Sequence, residues 1–117
     1  MRQWLINPEF LCRKHLMGEH IESHMFLGCI KKEISLKGYI EKGLVEIHNI
    51  KKRHDELADE MKRRNYNHKT PMENLDLPII GFVNSEQNIS ELKKRCSDCR
   101  KRIERIIDGY NNNISSS

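Results

Sequence analysis

The sequence has no apolar run of the ~18 residues that a membrane helix requires, and no leader pattern at its start. It is therefore expected to be intracellular, cytoplasmic or nuclear, without a membrane partner. No internal repeat divides it. Neither sign of charge dominates: 21 Lys and Arg stand against 17 Asp and Glu, a formal net charge of +4. That permits a nucleic-acid or phosphate partner without demanding one. Apolar residues are few, 37% against 32% charged in 117 residues, which predicts one domain with an economical core. The four cysteines, without a secretory leader, read as reduced thiols rather than as a disulfide frame. Also missing are a second C-x-x-C pair and the H-E-x-x-H order of metalloproteases, which would announce zinc from spacing alone.

What is present is a helical pattern. Asn7-Pro8-Glu9 offers an N-cap, a proline at the first helical position and an acid in the first turn. A first helix is predicted from there to Lys32. Steps of four and three put Leu11, His15, Gly18, Glu22, Met25 and Cys29 on one face. That face is expected to meet the core, with Gly18 marking close approach of another backbone. A second helix over residues 44–64 turns Ile47, Ile50, His54, Leu57, Ala58 and Met61 inward and ends at Asn65 as a left-handed cap. Residues 67–84 form a loop whose apolar patch, Ile79, Ile80, Phe82 and Val83, is expected to pack on the body. A third helix runs from Ser85 or Asn88 to Gly109, with Ile89, Leu92, Cys96, Cys99, Ile103, Ile106 and Tyr110 on one stripe. The expected fold is all-α: a domain over residues 1–110 with three main helices, then a disordered polar tail over 111–117.

Four features bear on chemistry. Cys96 and Cys99 lie on the apolar stripe of the third helix, which favours core packing, since free cysteine behaves as a small hydrophobe. His20 and His24, at i and i+4, have the spacing of a shared metal, on a face that reads as polar and partly exposed. Together with Cys96 and Cys99 they define one alternative, a metal-dependent nuclease or zinc-stabilised domain; the favoured reading needs no metal and no cofactor. Seven basic residues between positions 93 and 105 are accompanied only by Asp98 and Glu104, a phosphate-backbone footprint. Candidate DNA contacts are Arg13, Lys14, Lys94, Arg95, Lys101 and Arg102.

The fourth feature is Glu22. A carboxylate on a core-facing stripe requires a partner, because stripping its water costs several kcal/mol. One partner would be Arg2, as plain structure. Another is the chain's own α-amine, expected to be that of Met1, because the bulky Arg2 disfavours removal of the initiator. α-Amines as a class titrate near neutrality. An amine beside a carboxylate can attack a sugar C1′, expel the base and form a Schiff base, while the carboxylate handles the protons of β-elimination.

The run His15-Leu16-Met17-x-Glu19-x-x-Glu22, followed by Gly28, resembles the signature helix of the endonuclease V-type pyrimidine-dimer DNA glycosylases of phages and algal viruses. Lys52-Arg53, Glu56-Leu57-Ala58, Glu60-Met61-Lys62-Arg63 and Tyr66-Asn67 resemble the second helix of that family, so the likeness spans roughly the first 70 residues in order. It implies a three-helix fold with the N-terminal segment threaded between helices. It also implies a metal-free glycosylase and AP lyase acting on damaged double-stranded DNA. By position, the resemblance places the nucleophilic amine on Met1, an arginine on Arg2, the active-site histidine on His15 and the essential carboxylate on Glu22. The chain departs from the family in beginning with methionine rather than threonine. Ile21 and Met25 stand where the family has DNA-gripping arginines, and the aromatic, basic C-terminal tail is missing. A second alternative is therefore a non-catalytic nucleic-acid-binding or virion-associated protein of the same fold.

Overall fold

The computed structural model describes the backbone of residues 1–68 and 70–115, and the side chains of 1–68 and 70–109. The fold is all-α. After a short 3-10 turn, Pro8–Phe10, the helices are α1 (Arg13–Lys31), α2 (Lys37–Glu41), α3 (Ile50–Arg63), α4 (Ser85–Arg95) and α5 (Ser97–Ser115). The chief packing contact is α1 on α3. Two apolar clusters make the core. One gathers Trp4, Leu11, Leu16, Leu57, Met61, Leu92 and Cys99 around the start of α1. The other gathers Phe26, Leu36, Val45, Ile47, Ile50 and Met72 around its end. Leu11, Leu16, Leu57 and Leu92 are fully buried, each contributing about 1.5–3 kcal/mol relative to exposure.

The first six residues thread between the helices. Gln3, Trp4 and Ile6 are buried, and their backbone polar groups find partners as burial requires. The Gln3 N–H donates to the Leu44 carbonyl at 2.8 Å. Asn88 donates to the Trp4 carbonyl at 2.9 Å, Ser85 to that of Leu5 at 2.7 Å, and Arg53 to that of Ile6 at 2.7 Å. Leu5 takes a left-handed φ of +49°, which lets the segment turn inside this cage.

The structure corrects several local expectations. The inward face of α1 is Leu16, Glu19, His20, Ser23, Phe26 and Leu27, not the stripe through Glu22 and Met25; Met25 is 50% exposed. The expected stripe is counted from Leu11, which lies outside the helix. Asn7 does cap a turn, with its side chain accepting from the Glu9 N–H, but the chain is extended again at Leu11 and Cys12 before α1 begins. Gly18 marks no close approach, since a Cβ there would meet nothing within 4 Å. The glycine that does is Gly81, with φ +97° and the Val45 carbonyl 2.3 Å from where a Cβ would lie. Of the loop's apolar patch only Val83 is buried; Ile79 and Phe82 are exposed. The third helix is split at Cys96, whose backbone is extended, and its second piece passes Gly109 to reach Ser115. Residues 116–117 of the expected tail lie outside the described residues. Asn65 does take the left-handed conformation, with φ +62°.

Candidate active site

The first atom of the chain comes to α1. The Met1 nitrogen lies 3.8 Å from Glu22 Oε1, and the Glu22 side chain is 30% exposed. Gln3 and Trp4, both buried, anchor the segment that carries Met1 to this place. Burial pushes the Glu22 carboxyl above the ordinary carboxylate range, against the pull of the Met1 amine; Glu19 adds to the rise, and the Arg2 backbone amide and guanidinium oppose it. The result is a carboxyl poised nearer neutrality than a free glutamate, beside a primary amine. Those are the parts of a proton-transfer and nucleophile pair.

Arg2 approaches from the other side but is already occupied. Its guanidinium donates to Asn88 Oδ1 at 2.8 Å and to both Glu91 oxygens at 3.3 Å, and it stacks on Trp4 with 3.8 Å to the ring centroid. Its Nε has no hydrogen-bond partner among the described residues. His15 is not drawn to Met1 and Glu22. It sits two turns earlier on α1, about 10 Å along the axis, edge-on to Trp4, with Nδ1 3.2 Å from Cys12 Sγ and 3.6 Å from Cys99 Sγ. Burial, then Lys14 and Arg95, holds its pKa below the ordinary histidine value.

The sealed carboxylate of α1 is Glu19, not Glu22. Arg53 grips it in a fork, Nε to Oε2 at 2.6 Å and Nη2 to Oε1 at 3.0 Å, with both side chains essentially buried. This pair ties α1 to α3 and, through the Ile6 carbonyl, to the N-terminal segment. The expected DNA contacts fall into two groups. Lys14, Lys94 and Lys101 are exposed, whereas three arginines have intramolecular partners. Arg13 lies over Tyr66, Arg95 donates to Glu91 at 2.8 Å, and Arg102 Nε donates to the Glu9 carbonyl at 2.9 Å.

Two groups of metal-capable side chains stand apart from Met1 and Glu22, and neither is the set His20, His24, Cys96 and Cys99. His20, His54 and His68 form one; Cys12, His15, Cys96 and Cys99 form the other. His20 is buried, which corrects the expected polar face. The sequence contained a signal for the second group in the matching spacings Cys12-x-x-His15 and Cys96-x-x-Cys99. Starting the first helix at Pro8 hid it.

The family model for pyrimidine dimer DNA glycosylases matches residues 1–74. The chain belongs to this family. Comparison with curated proteins returns no match, and neither does comparison with solved structures. The match covers the threaded N-terminus, α1 and α3, and therefore both members of the Met1–Glu22 pair; α4 and α5 lie beyond it. At family level the protein is a DNA-repair glycosylase. No helix among the described residues is long and apolar enough to cross a membrane.

Proposed function

We propose that the protein is a bifunctional DNA glycosylase and AP lyase whose nucleophile is the Met1 α-amine and whose proton carrier is Glu22. The 3.8 Å approach of the two groups is the observation that carries this reading. At that distance the amine is paired but not locked in a hydrogen bond, and such contacts tighten when substrate arrives.

The neutral amine forms a bond to C1′ of the damaged nucleotide as the C1′–base bond breaks; the base leaves with that electron pair and takes up a proton. The attached nitrogen loses a proton, the C1′–O4′ bond opens with O4′ protonated, and an iminium remains. Removal of a C2′ proton, by ionised Glu22, then drives cleavage of the C3′–O bond, and the phosphate leaves. Water hydrolyses the imine and frees Met1. A carboxyl raised towards neutrality can accept and return these protons more readily than a free glutamate.

Access requires a nucleotide to be drawn out of the duplex. Ile21 and Met25, more than half and half exposed, flank Glu22 on the outer face of α1 and offer an apolar rim to an unstacked group. Arg2 takes on the phosphate-holding role implied by the family by exchanging Glu91 for phosphate, while Lys14, Lys94 and Lys101 supply salt-sensitive backbone contacts. His15 would hold phosphate only by turning from its cysteine neighbours.

Borohydride added during reaction with abasic-site DNA or ultraviolet-irradiated duplex is expected to leave an adduct on the N-terminal peptide, read by mass spectrometry. No adduct with either substrate, while the protein still binds DNA in a salt-sensitive way, would instead leave a binding protein of the same fold.

A further inference from the structure

Two helix N-termini meet beside Trp4, and each is opened by a cysteine. Cys12 is the N-cap of α1 and His15 stands three residues on. Cys96 directly precedes α5 and Cys99 stands three residues on. An N-cap is ordinarily Ser, Thr, Asp or Asn, and Cys12 makes no capping hydrogen bond with its side chain. Its sulfur points instead into a group of four.

Three spacings within that group lie near the edges of a coordination tetrahedron. Zinc–sulfur bonds of about 2.3 Å and zinc–nitrogen bonds of about 2.0–2.1 Å give edges of about 3.8 Å between sulfurs and about 3.6 Å between sulfur and nitrogen. Cys12 Sγ to Cys96 Sγ is 3.9 Å, His15 Nδ1 to Cys99 Sγ is 3.6 Å, and His15 Nδ1 to Cys12 Sγ is 3.2 Å. All four ligand atoms lie within 4.8 Å of one another. The cysteines are free thiols.

We propose that Cys12, His15, Cys96 and Cys99 bind one zinc ion through three thiolates and the His15 Nδ1, as a closed structural site. On binding, each thiol proton passes to solvent and four metal–ligand bonds form, with no change of oxidation state. Three thiolates and Zn²⁺ leave one net negative charge, and the setting suits it. The positive ends of α1 and α5 face the sulfurs. Backbone N–H groups also point at them, Cys12 N–H to Cys99 Sγ at 3.2 Å and Cys99 N–H to Cys96 Sγ at 3.4 Å, as outer-sphere donors do in metal sites.

Simple core packing explains buried cysteines but not a histidine nitrogen aimed at two sulfurs. The histidine group is a poorer site. His54 already spends Nδ1 on Asp55 at 2.9 Å and Nε2 on the Thr70 carbonyl at 3.1 Å. The zinc would bolt α5, which lies outside the family-matched residues, to the start of α1, which lies inside them.

The full chain, purified under reducing conditions without chelator, is expected to carry one zinc per molecule by elemental analysis. Cys12→Ser and Cys99→Ser should lose it, and His20→Asn should keep it. Cys12 and Cys99 are both buried, so loss in either variant can also follow from misfolding; the wild-type chain supplies a second arm. Stripped and refilled with cobalt(II), it should show thiolate-to-metal charge transfer and the strong visible bands of a tetrahedral site. Removal of zinc should also lower Tm by roughly 10 °C or more. A folded, reduced wild-type chain with no zinc and no cobalt spectrum overturns the proposal, as does zinc loss in His20→Asn alone. Zinc content and the borohydride adduct are independent readouts, so either proposal can fail alone.

Discussion

Glu19 and Glu22 lie one turn apart on α1, on either side of the line between core and solvent. Glu19 has no exposed surface and is clasped by Arg53 at 2.6 and 3.0 Å; Glu22 is 30% exposed and faces an amine at 3.8 Å. The same residue type is a bolt in one place and, in the function proposed above, a proton carrier in the other. What separates them is the partner. A planar guanidinium satisfies both carboxylate oxygens at once and holds them still. A single ammonium pairs with one oxygen and can give up its proton.

Breaking the bolt should give the largest effect. Glu19→Gln leaves the Arg53 charge buried without its counter-ion, a loss of about 3–5 kcal/mol. Urea denaturation would then show a much lower midpoint, with any remaining folded fraction still able to cleave abasic DNA. A midpoint within error of wild type would mean that the pair is not structural.

A second comparison sets the inner face of α1 against its outer face by pH. Burial first, then His54, His68 and His24, lowers the pKa of His20 from 6.5 to about 4. Between those values the unfolded chain binds more protons than the folded one, so stability falls as pH falls through that window. The loss should reach on the order of 3 kcal/mol by pH 4. Glu22 has the opposite sign. Its folded carboxyl is raised above the ordinary 4.5, so ionising it costs stability as pH rises past that value, and acid relieves the cost. Denaturation midpoints between pH 7 and pH 5 should therefore decline, and His20→Asn should flatten the decline. A midpoint independent of pH in the wild type would contradict the buried histidine cluster.

The smallest effect separates the backbone of α1 from its carboxylates. A Cβ at Gly28 would meet nothing within 4 Å, so Gly28→Ala should stabilise the helix by up to about 1 kcal/mol. Thermal unfolding should show the gain with DNA cleavage unchanged. A loss of stability would mean that the glycine serves a contact.

The sequence made the helices legible because their apolar spacing is regular, most clearly in α3, where Ile50, His54, Leu57, Ala58 and Met61 are buried as the pattern requires. It also offered Met1 as one of two candidate partners for Glu22, and the family resemblance favoured that pairing over Arg2. The periodic argument for Glu22 failed, because the buried Leu11 that anchored the stripe lies before α1, and within the helix Glu19 takes the buried position. The Glu19–Arg53 pair was hidden because its members lie on different helices, 34 residues apart. The sulfur cluster was hidden for the same reason: Cys12 and Cys96 are 84 residues apart, and only the break before α5 turns them to each other.

Single-turnover cleavage of abasic-site DNA by Glu22→Gln, with Tm recorded on the same preparation, tests the roles of the two carboxylates most directly. The expected result is a rate lower by about 10²–10⁴-fold with Tm unchanged or slightly raised. A cleavage rate equal to wild type, or a rate loss that only tracks a fall in Tm, would contradict the assignment of Glu22 as the proton carrier beside the Met1 amine.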